Sequence, residues 1–278
     1  MREHITLSSE KTDPGFFAAV ASDVGLVRRN NEDNYLLYAC INETCKENSS
    51  TAGFAPCMQD TWKLIGVFDG MGGGEKGELA ALLTAQVFRD AADVLQQVRQ
   101  REVADTLIRK AFQTANNRVL KLRESCGAYG TTAVIACTDG AVFKIYHLGD
   151  SRAYLLRKGE LFQLSRDHTL AEMKIRTGIY RAGDPREKVD RHCLTEYVGG
   201  DGTGENTNPE ESQWITVKPE DSLLLCSDGL YEMCTDPEIS SILNGSGDAR
   251  NKAEKLVELA RMKGGIDNIT CVCLDFVG

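Results

Sequence analysis

Short apolar runs rich in β-branched and aromatic residues recur at residues 16–22, 35–40, 64–68, 131–137, 141–148, 151–156, 160–164, 213–217, 222–226 and 269–277, and each predicts a strand. Between the third and fourth of these the period lengthens. Leu79, Leu83, Val87, Ala91 and Leu95, then Leu107, Ala111, Ala115, Val119 and Leu122, repeat at helical spacing. They predict a helical hairpin turning near residue 100, with both stripes packed on the core. Further helical patterns cover residues 236–244 and 250–263. The run 269–277 is apolar on both faces, as a strand covered on both sides requires. Thr138-Asp139-Gly140 marks a hairpin, and residues 131–164 are expected to form a four-strand antiparallel meander. A strand-rich core with two helical pairs predicts an α+β fold: a central β-sandwich of two antiparallel sheets flanked by pairs of helices.

Polar stretches set the boundaries. Residues 1–15 form a polar N-terminal extension, and no linker or repeat divides 16–278, which is expected to be one domain. Residues 41–60, rich in Ser, Asn, Thr and Cys, have no periodicity and predict a surface loop or hairpin excursion. Residues 166–212 are polar, with Gly183, Pro185, Gly199, Gly200, Gly202, Gly204 and Pro209 scattered among short apolar pieces. So long an irregular segment inside a compact domain is expected to be functional or mobile, and flap-like.

Charge and cysteine content narrow the chemistry. A net charge of -9 over 278 residues repels nucleic acid and anionic membrane, so neither is expected as a partner. No Cys-x-x-Cys pair occurs among the ten cysteines. Cys137, Cys226, Cys271 and Cys273 sit in strand-like runs and are expected as reduced, buried thiols. Cys40, Cys45 and Cys57 share one irregular segment and leave a bridge or a metal cluster open there. The N-terminus lacks an apolar targeting region, and no 18-residue apolar run appears, so a cytoplasmic location is expected.

The candidate chemistry lies where strands end. Residues 66–74 carry Asp69 at the end of a buried strand, followed by Gly70, Met71 and a run of glycines. A phosphate-cradling loop would end in Gly-Lys-Ser/Thr, whereas Gly74 is followed by Glu75-Lys76-Gly77. Asp228 also ends a buried strand and precedes a glycine, Asp267 opens one, and Asp150 sits at a tight turn. Each alone is an ordinary turn residue. If the strand ends meet on one edge, four carboxylates converge and call for cations. Oxygen donors select Mg²⁺, Mn²⁺ or Ca²⁺ over zinc. Two such ions roughly 3.5–4 Å apart would bring a bridging water's pKa towards neutrality, for in-line attack on phosphorus. Arg28, upstream of Glu32-Asp33, offers the planar fork that suits a phosphate, although an isolated surface arginine would look the same.

Six motifs stand in order: Ser22-Asp23-Val24-Gly25 with Arg28 and Asn31-Glu32-Asp33; Val67-Phe68-Asp69-Gly70-Met71-Gly72-Gly73; Gly130-Thr131-Thr132-Ala133; Leu148-Gly149-Asp150-Ser151-Arg152; Ser227-Asp228-Gly229-Leu230; and Asp267-Asn268-Ile269-Thr270. From Ser22 to the C-terminus the chain therefore resembles a metal-dependent serine/threonine protein phosphatase of the type 2C family, in its bacterial single-domain form. The resemblance implies hydrolysis of phosphoserine and phosphothreonine on proteins by a metal-activated water, with two Mn²⁺ or Mg²⁺ ions and a third position in bacterial-type members. It implies that Asp69 bridges the two metals, that the Gly70 carbonyl completes one, and that Asp228 and Asp267 hold the other. Glu32 and Asp33 would act through metal-bound waters, Arg28 would clamp the substrate phosphate, and Asp150 with Asp228 would serve the third metal. Asn268 would support these ligands from behind, and Arg28, Asp69 and Asp228 would carry catalysis. Partners would be phosphorylated proteins, the substrates of a serine/threonine kinase, acted on by a monomer.

Departures from the family pattern are specific. Animal members carry His at the position of Met71, so protonation of the leaving alkoxide would fall to a metal-bound water. In Leu194-Thr195-Glu196-Tyr197-Val198-Gly199-Gly200, Glu196 stands where the family often has Arg. The 41–60 segment is longer than usual. Two rivals remain: an inactive member that binds phosphoproteins, marked by loss of a metal Asp, and a Ca²⁺-binding sandwich without chemistry. The Cys-x5-Arg pattern of a cysteine phosphatase is absent.

Overall fold

A computed structural model describes residues 15–43, 49–54, 61–72, 76–126, 129–200 and 208–277. In chain order the strands are β1 Gly15–Asp23, β2 Asn34–Leu37, β3 Ser49–Phe54, β4 Lys63–Phe68 and β5 Gly70–Gly72, followed by helices α1 Gly77–Leu95 and α2 Arg101–Cys126. Next come β6 Tyr129–Thr131, β7 Ala133–Thr138, β8 Val142–Leu148, β9 Arg152–Arg157 and β10 Glu160–Gln163, then α3 Leu170–Arg176 and α4 Glu187–Asp190. The chain closes with β11 Glu210–Glu211, β12 Ile215–Thr216, β13 Ser222–Cys226, α5 Asp228–Tyr231, α6 Asp236–Leu243, α7 Ala249–Met262 and β14 Ile269–Val277.

Two antiparallel sheets form the centre, as the pattern predicts. One runs β10-β9-β13-β14-β1-β3 and the other β11-β8-β7-β4-β2, with β12 also on β8. Side chains alternate strictly between layers. In β4, Ile65 and Val67 enter the apolar core between the sheets, while Leu64 and Phe68 enter the core under α1 and α2. In β13, Leu223 and Leu225 face the other sheet, and Leu224 and Cys226 face α6 and α7. The result is four layers, helices over sheet over sheet over helices, and the period-2 geometry of a strand explains why the central runs are apolar on both faces. Cys137, Cys226, Cys271 and Cys273 are buried free thiols on the helix-facing sides; Cys40 and Cys193 are exposed and free. Cys45 and Cys57 lie outside the described residues.

Four expectations need correction. The four-strand meander is split: β7 pairs β8 in one sheet and β9 pairs β10 in the other, because Gly149-Asp150 carries the chain across the sandwich rather than back along it. The 41–60 segment contains a true strand, β3, hydrogen-bonded along β1. The stripe assigned to α1 holds in its second half, where Val87 and Leu95 are buried and Ala91 packs on the core, but not in its first. Leu79 is 37% exposed and Leu83 partly so, whereas Ala81, Thr84, Ala85 and Phe88 are buried. Residues four apart advance by about 40° beyond a full turn, so a stripe from Leu79 to Leu95 drifts by about 160° and cannot stay on one face. The 166–212 segment is not wholly irregular either, since it contains α3 and α4; residues 201–207 lie outside the described set.

Candidate metal centre

The register of the sheets decides whether the strand-end acids meet. Phe68 at the end of β4 pairs with Asn34 at the start of β2, and Ala133 at the start of β7 pairs with Leu148 at the end of β8. In the other sheet Asp23 pairs with Ile269, and Cys226 with both Cys271 and Arg152. The residues just beyond these pairs, Asp69, Asp150, Asp228 and Asp267, therefore emerge at one edge of the sandwich. They line a single cleft of about 250 Å³ together with Arg28, Glu32, Gly70, Met71, Gly72, Thr132, His192, Leu194 and Asn268. Asp33 lies behind the cleft wall, 4% exposed, where Ser227 Oγ donates to its Oδ2 at 2.8 Å. Its Oδ1 has no hydrogen-bond partner.

Close backbone packing makes this edge possible. A Cβ on Gly70 would collide with the carbonyl oxygens of Gly77 and Glu32, and one on Gly77 would collide with Glu32 Oε2. Only a pair of glycines lets the start of α1 press against β5 and the Glu32 loop at once. The helix is held there by its aromatic face: Phe88 packs on Phe68 at 5.8 Å between ring centroids and edge-on against Phe112 of α2 at 4.9 Å. Such pairs contribute about 0.5–1.5 kcal/mol each beyond the area they bury. At the other strand end a Cβ on Gly229 would meet the Asn268 carbonyl, so Gly229 is what lets Asp228 and Asp267 approach.

Neutral side chains aim the acids. Asp69 N donates to Thr132 Oγ1 at 3.0 Å, Thr132 N and Thr131 Oγ1 donate to Asp69 O at 2.9 Å, and Thr132 Oγ1 lies 2.6 Å from Ser151 Oγ. Asn268 ties the 24–33 loop to the start of β14. Its Nδ2 donates to Val24 O at 3.0 Å and Asn30 O at 2.9 Å, its Oδ1 accepts from Glu32 N at 2.8 Å, and its own N donates to Asp267 Oδ1 at 2.8 Å. Asn31 Nδ2 donates to Ser22 Oγ at 2.9 Å, and Ser22 Oγ lies 2.7 Å from Thr270 Oγ1. The Ser, Thr and Asn members of the sequence motifs are thus the scaffold on which the carboxylates sit.

Electrostatically the edge is frustrated without cations. Burial, then the charge of Asp228, raises the Asp69 carboxyl well above its ordinary value, and burial with Asp150 does the same to Asp228. Burial pushes Asp33, Asp150 and Glu32 each up to about 7. Arg28 Nη2 donates to Asp267 Oδ2 at 2.6 Å, which opposes part of this repulsion at the exposed end of the cleft. An all-oxygen donor set, mutual repulsion and the orphaned Asp33 Oδ1 fit hard divalent cations.

Every residue expected from sequence at the site is in or against this one cleft. The 166–212 segment was expected as a flap, but no role at the cleft was assigned to its His192 and Leu194, and Thr132 sits inside a quoted motif without an assigned role. Comparisons with known proteins agree with the geometry. Residues 23–174 match the protein phosphatase 2C family model. A serine/threonine phosphatase Stp of Listeria welshimeri is 30% identical over 261 residues, covering 93% of this chain and 95% of its own. Among solved structures, the Mycobacterium tuberculosis serine/threonine phosphatase PstP/Ppp superposes with a TM-score of 0.75 at 27% identity, covering 95% of this chain and 100% of its own. The catalytic domain of PstP, solved in complex with two manganese ions, superposes with a TM-score of 0.75 at 28% identity over the same shares. The chain belongs to the protein phosphatase 2C family.

Proposed function

We propose that this chain is a metal-dependent protein phosphatase that removes phosphate from phosphoserine and phosphothreonine side chains of proteins, with residues 16–278 as its single catalytic domain. The observation that carries this is the convergence of Glu32, Asp69, Asp150, Asp228 and Asp267 on one cleft with Arg28 at its exposed end. Asp69, the Gly70 carbonyl, Asp228 and Asp267 would hold two Mn²⁺ or Mg²⁺ ions, and Asp150 with Asp228 a third. When bound, such ions lower the pKa of a water nucleophile and neutralise the phosphoryl oxygens. Arg28 supplies a planar donor group for the phosphate, using only Nη2 for Asp267 in the structure. Glu32 and Asp33 orient water at the rear of the cleft, and Asn268 fixes Glu32 and Asp267 relative to each other. Met71 lines the cleft and carries no proton, so it cannot serve the leaving alkoxide.

Every acid the reaction needs is present, and no observation favours an inactive phosphoprotein-binding member. No helix among the described residues is long and apolar enough to cross a membrane. The likeness to bacterial serine/threonine phosphatases supports phosphorylated proteins, the products of serine/threonine kinases, as substrates; action as a monomer in cytoplasmic signalling is part of the same proposal. The test is hydrolysis of a chromogenic phosphate monoester with Mn²⁺, with Ca²⁺ and with a chelator. Turnover with Mn²⁺ alone is expected; equal rates in all three would refute metal-dependent hydrolysis.

A further inference from the structure

Apart from the acidic cleft, His147, His168 and Glu210 bring one ligand atom each to within 4.8 Å of one another. They come from three places. His147 lies near the end of β8, Glu210 is its cross-strand partner in β11, and His168 follows the Asp167 that pairs with Arg152. The two imidazoles stack at 4.8 Å. His147 is only 2% exposed, and its Nε2 lies 2.8 Å from Arg166 O and 3.1 Å from Arg166 N. Its Nδ1 is buried with no hydrogen-bond partner. Leaving such an atom unmatched is costly. Burial, reinforced by His168, lowers the His147 pKa to about 4, so the ring is neutral and has a lone pair to give. Where Nε2–H donates to Arg166 O, the shorter of its two backbone contacts, the lone pair lies on the buried Nδ1, which is the arrangement of a metal-ligating histidine; in the other tautomer Nε2 accepts from Arg166 N and Nδ1 carries the proton.

The second pair of atoms has matching dimensions. His168 Nε2 and Glu210 Oε2 are 3.3 Å apart, longer than a charge-assisted hydrogen bond of about 2.7–2.9 Å. A tetrahedral ion with bonds of about 2.0–2.1 Å has ligand–ligand edges of about 3.3 Å. We propose that His147, His168 and Glu210 form a binding site for a transition-metal ion of the zinc type, distinct from the acidic cleft in position and in donor chemistry. Imidazole donors favour Zn²⁺, Co²⁺ or Ni²⁺ over Mg²⁺. Three protein ligands leave the fourth position to water. Arg166 Nη2, 3.5 Å from Glu210 Oε1, holds the carboxylate oxygen turned away from the imidazoles. Ligation through His168 Nε2 moves that ring's proton to Nδ1, which accepts from Gly149 N at 3.3 Å in the structure. That long hydrogen bond is the contact that binding displaces, and Gly149 adjoins Asp150 of the cleft.

The test is titration of the full chain with Co²⁺ in excess Mg²⁺, which occupies oxygen sites without colour. One equivalent of Co²⁺ is expected to give the intense visible bands of a four-coordinate ion with nitrogen donors, discharged by Zn²⁺. His147→Asn should abolish those bands, and Glu210→Gln, a change on the more exposed β11, should weaken Co²⁺ binding at least tenfold; circular dichroism reads the fold of each. Only weak six-coordinate bands in the native protein, or unchanged bands in a folded variant of either position, would overturn the site.

Discussion

Asn268 concentrates more of the site's geometry than any acid does, and its removal is the sharpest test of how the cleft is built. The side chain makes three hydrogen bonds, to Val24 O, Asn30 O and Glu32 N, at 2.8–3.0 Å, and the residue is 6% exposed. At about 1 kcal/mol net per bond, Asn268→Ala removes about 3 kcal/mol, more if water does not reach the stranded carbonyls. The loop it anchors carries Arg28, Glu32 and Asp33, so a local loss of this size appears as a fall of about 100-fold in divalent-cation affinity, at about 1.4 kcal/mol per tenfold. A global loss appears instead as a lower urea midpoint. Asn268→Asp keeps the acceptor for Glu32 N but turns an oxygen towards two carbonyls, and should be at least as severe. The assay is Mn²⁺ calorimetry alongside urea unfolding. Mn²⁺ affinity within threefold of the native protein together with an unchanged midpoint would refute the argument.

Four further outcomes follow from the same geometry. Asp228→Asn should remove most phosphatase activity while leaving circular dichroism unchanged, and near-normal turnover would exclude Asp228 as a ligand. Arg28→Lys keeps the charge but loses the fork, so KM for a phosphopeptide should rise about tenfold with a smaller change in kcat; a kcat effect alone would contradict a phosphate-clamping role. Glu32, Asp33 and Asp150 hold protons in the folded chain up to about pH 7 that the unfolded chain releases near pH 4. Stability in chelator should therefore fall as pH rises through that window, and Mn²⁺ should flatten the fall; identical melting profiles with and without Mn²⁺ would count against carboxylate repulsion. Thr132→Val should cost about 1–3 kcal/mol through the loss of its contacts with Asp69 N and Ser151 Oγ, measured by chemical denaturation.

Much of the site was legible because acids at strand ends leave a local signature: Asp69, Asp228 and Asp267 each adjoin an apolar run whose ends are marked by turn residues. The scaffold of Thr132, Asn31, Ser22 and Thr270 was not legible in its roles, since a Ser or Thr looks the same whether it faces solvent or a backbone amide. The register failed only at the start of α1, at Leu79 and Leu83, because a helix turns by 3.6 residues and a spacing by fours from Leu95 accumulates error, whereas the α2 stripe lies in or against the core. That the 166–212 segment would matter was legible, but the place of His192 was not. The 166–212 segment has no periodicity, and only its long-range contacts bring it to the cleft.

The sequence by itself determined the layers, since short runs apolar on both faces call for sheets covered on both sides, and it placed the acids at the ends of those runs. Strand order and register are decided by tertiary structure, because each pairing joins segments up to hundreds of residues apart, as Asp23 joins Ile269. That register turns separate strand-end aspartates into one cleft, sends β9 to the opposite sheet, and sets His147 against His168 and Glu210, a grouping that no local spacing encodes.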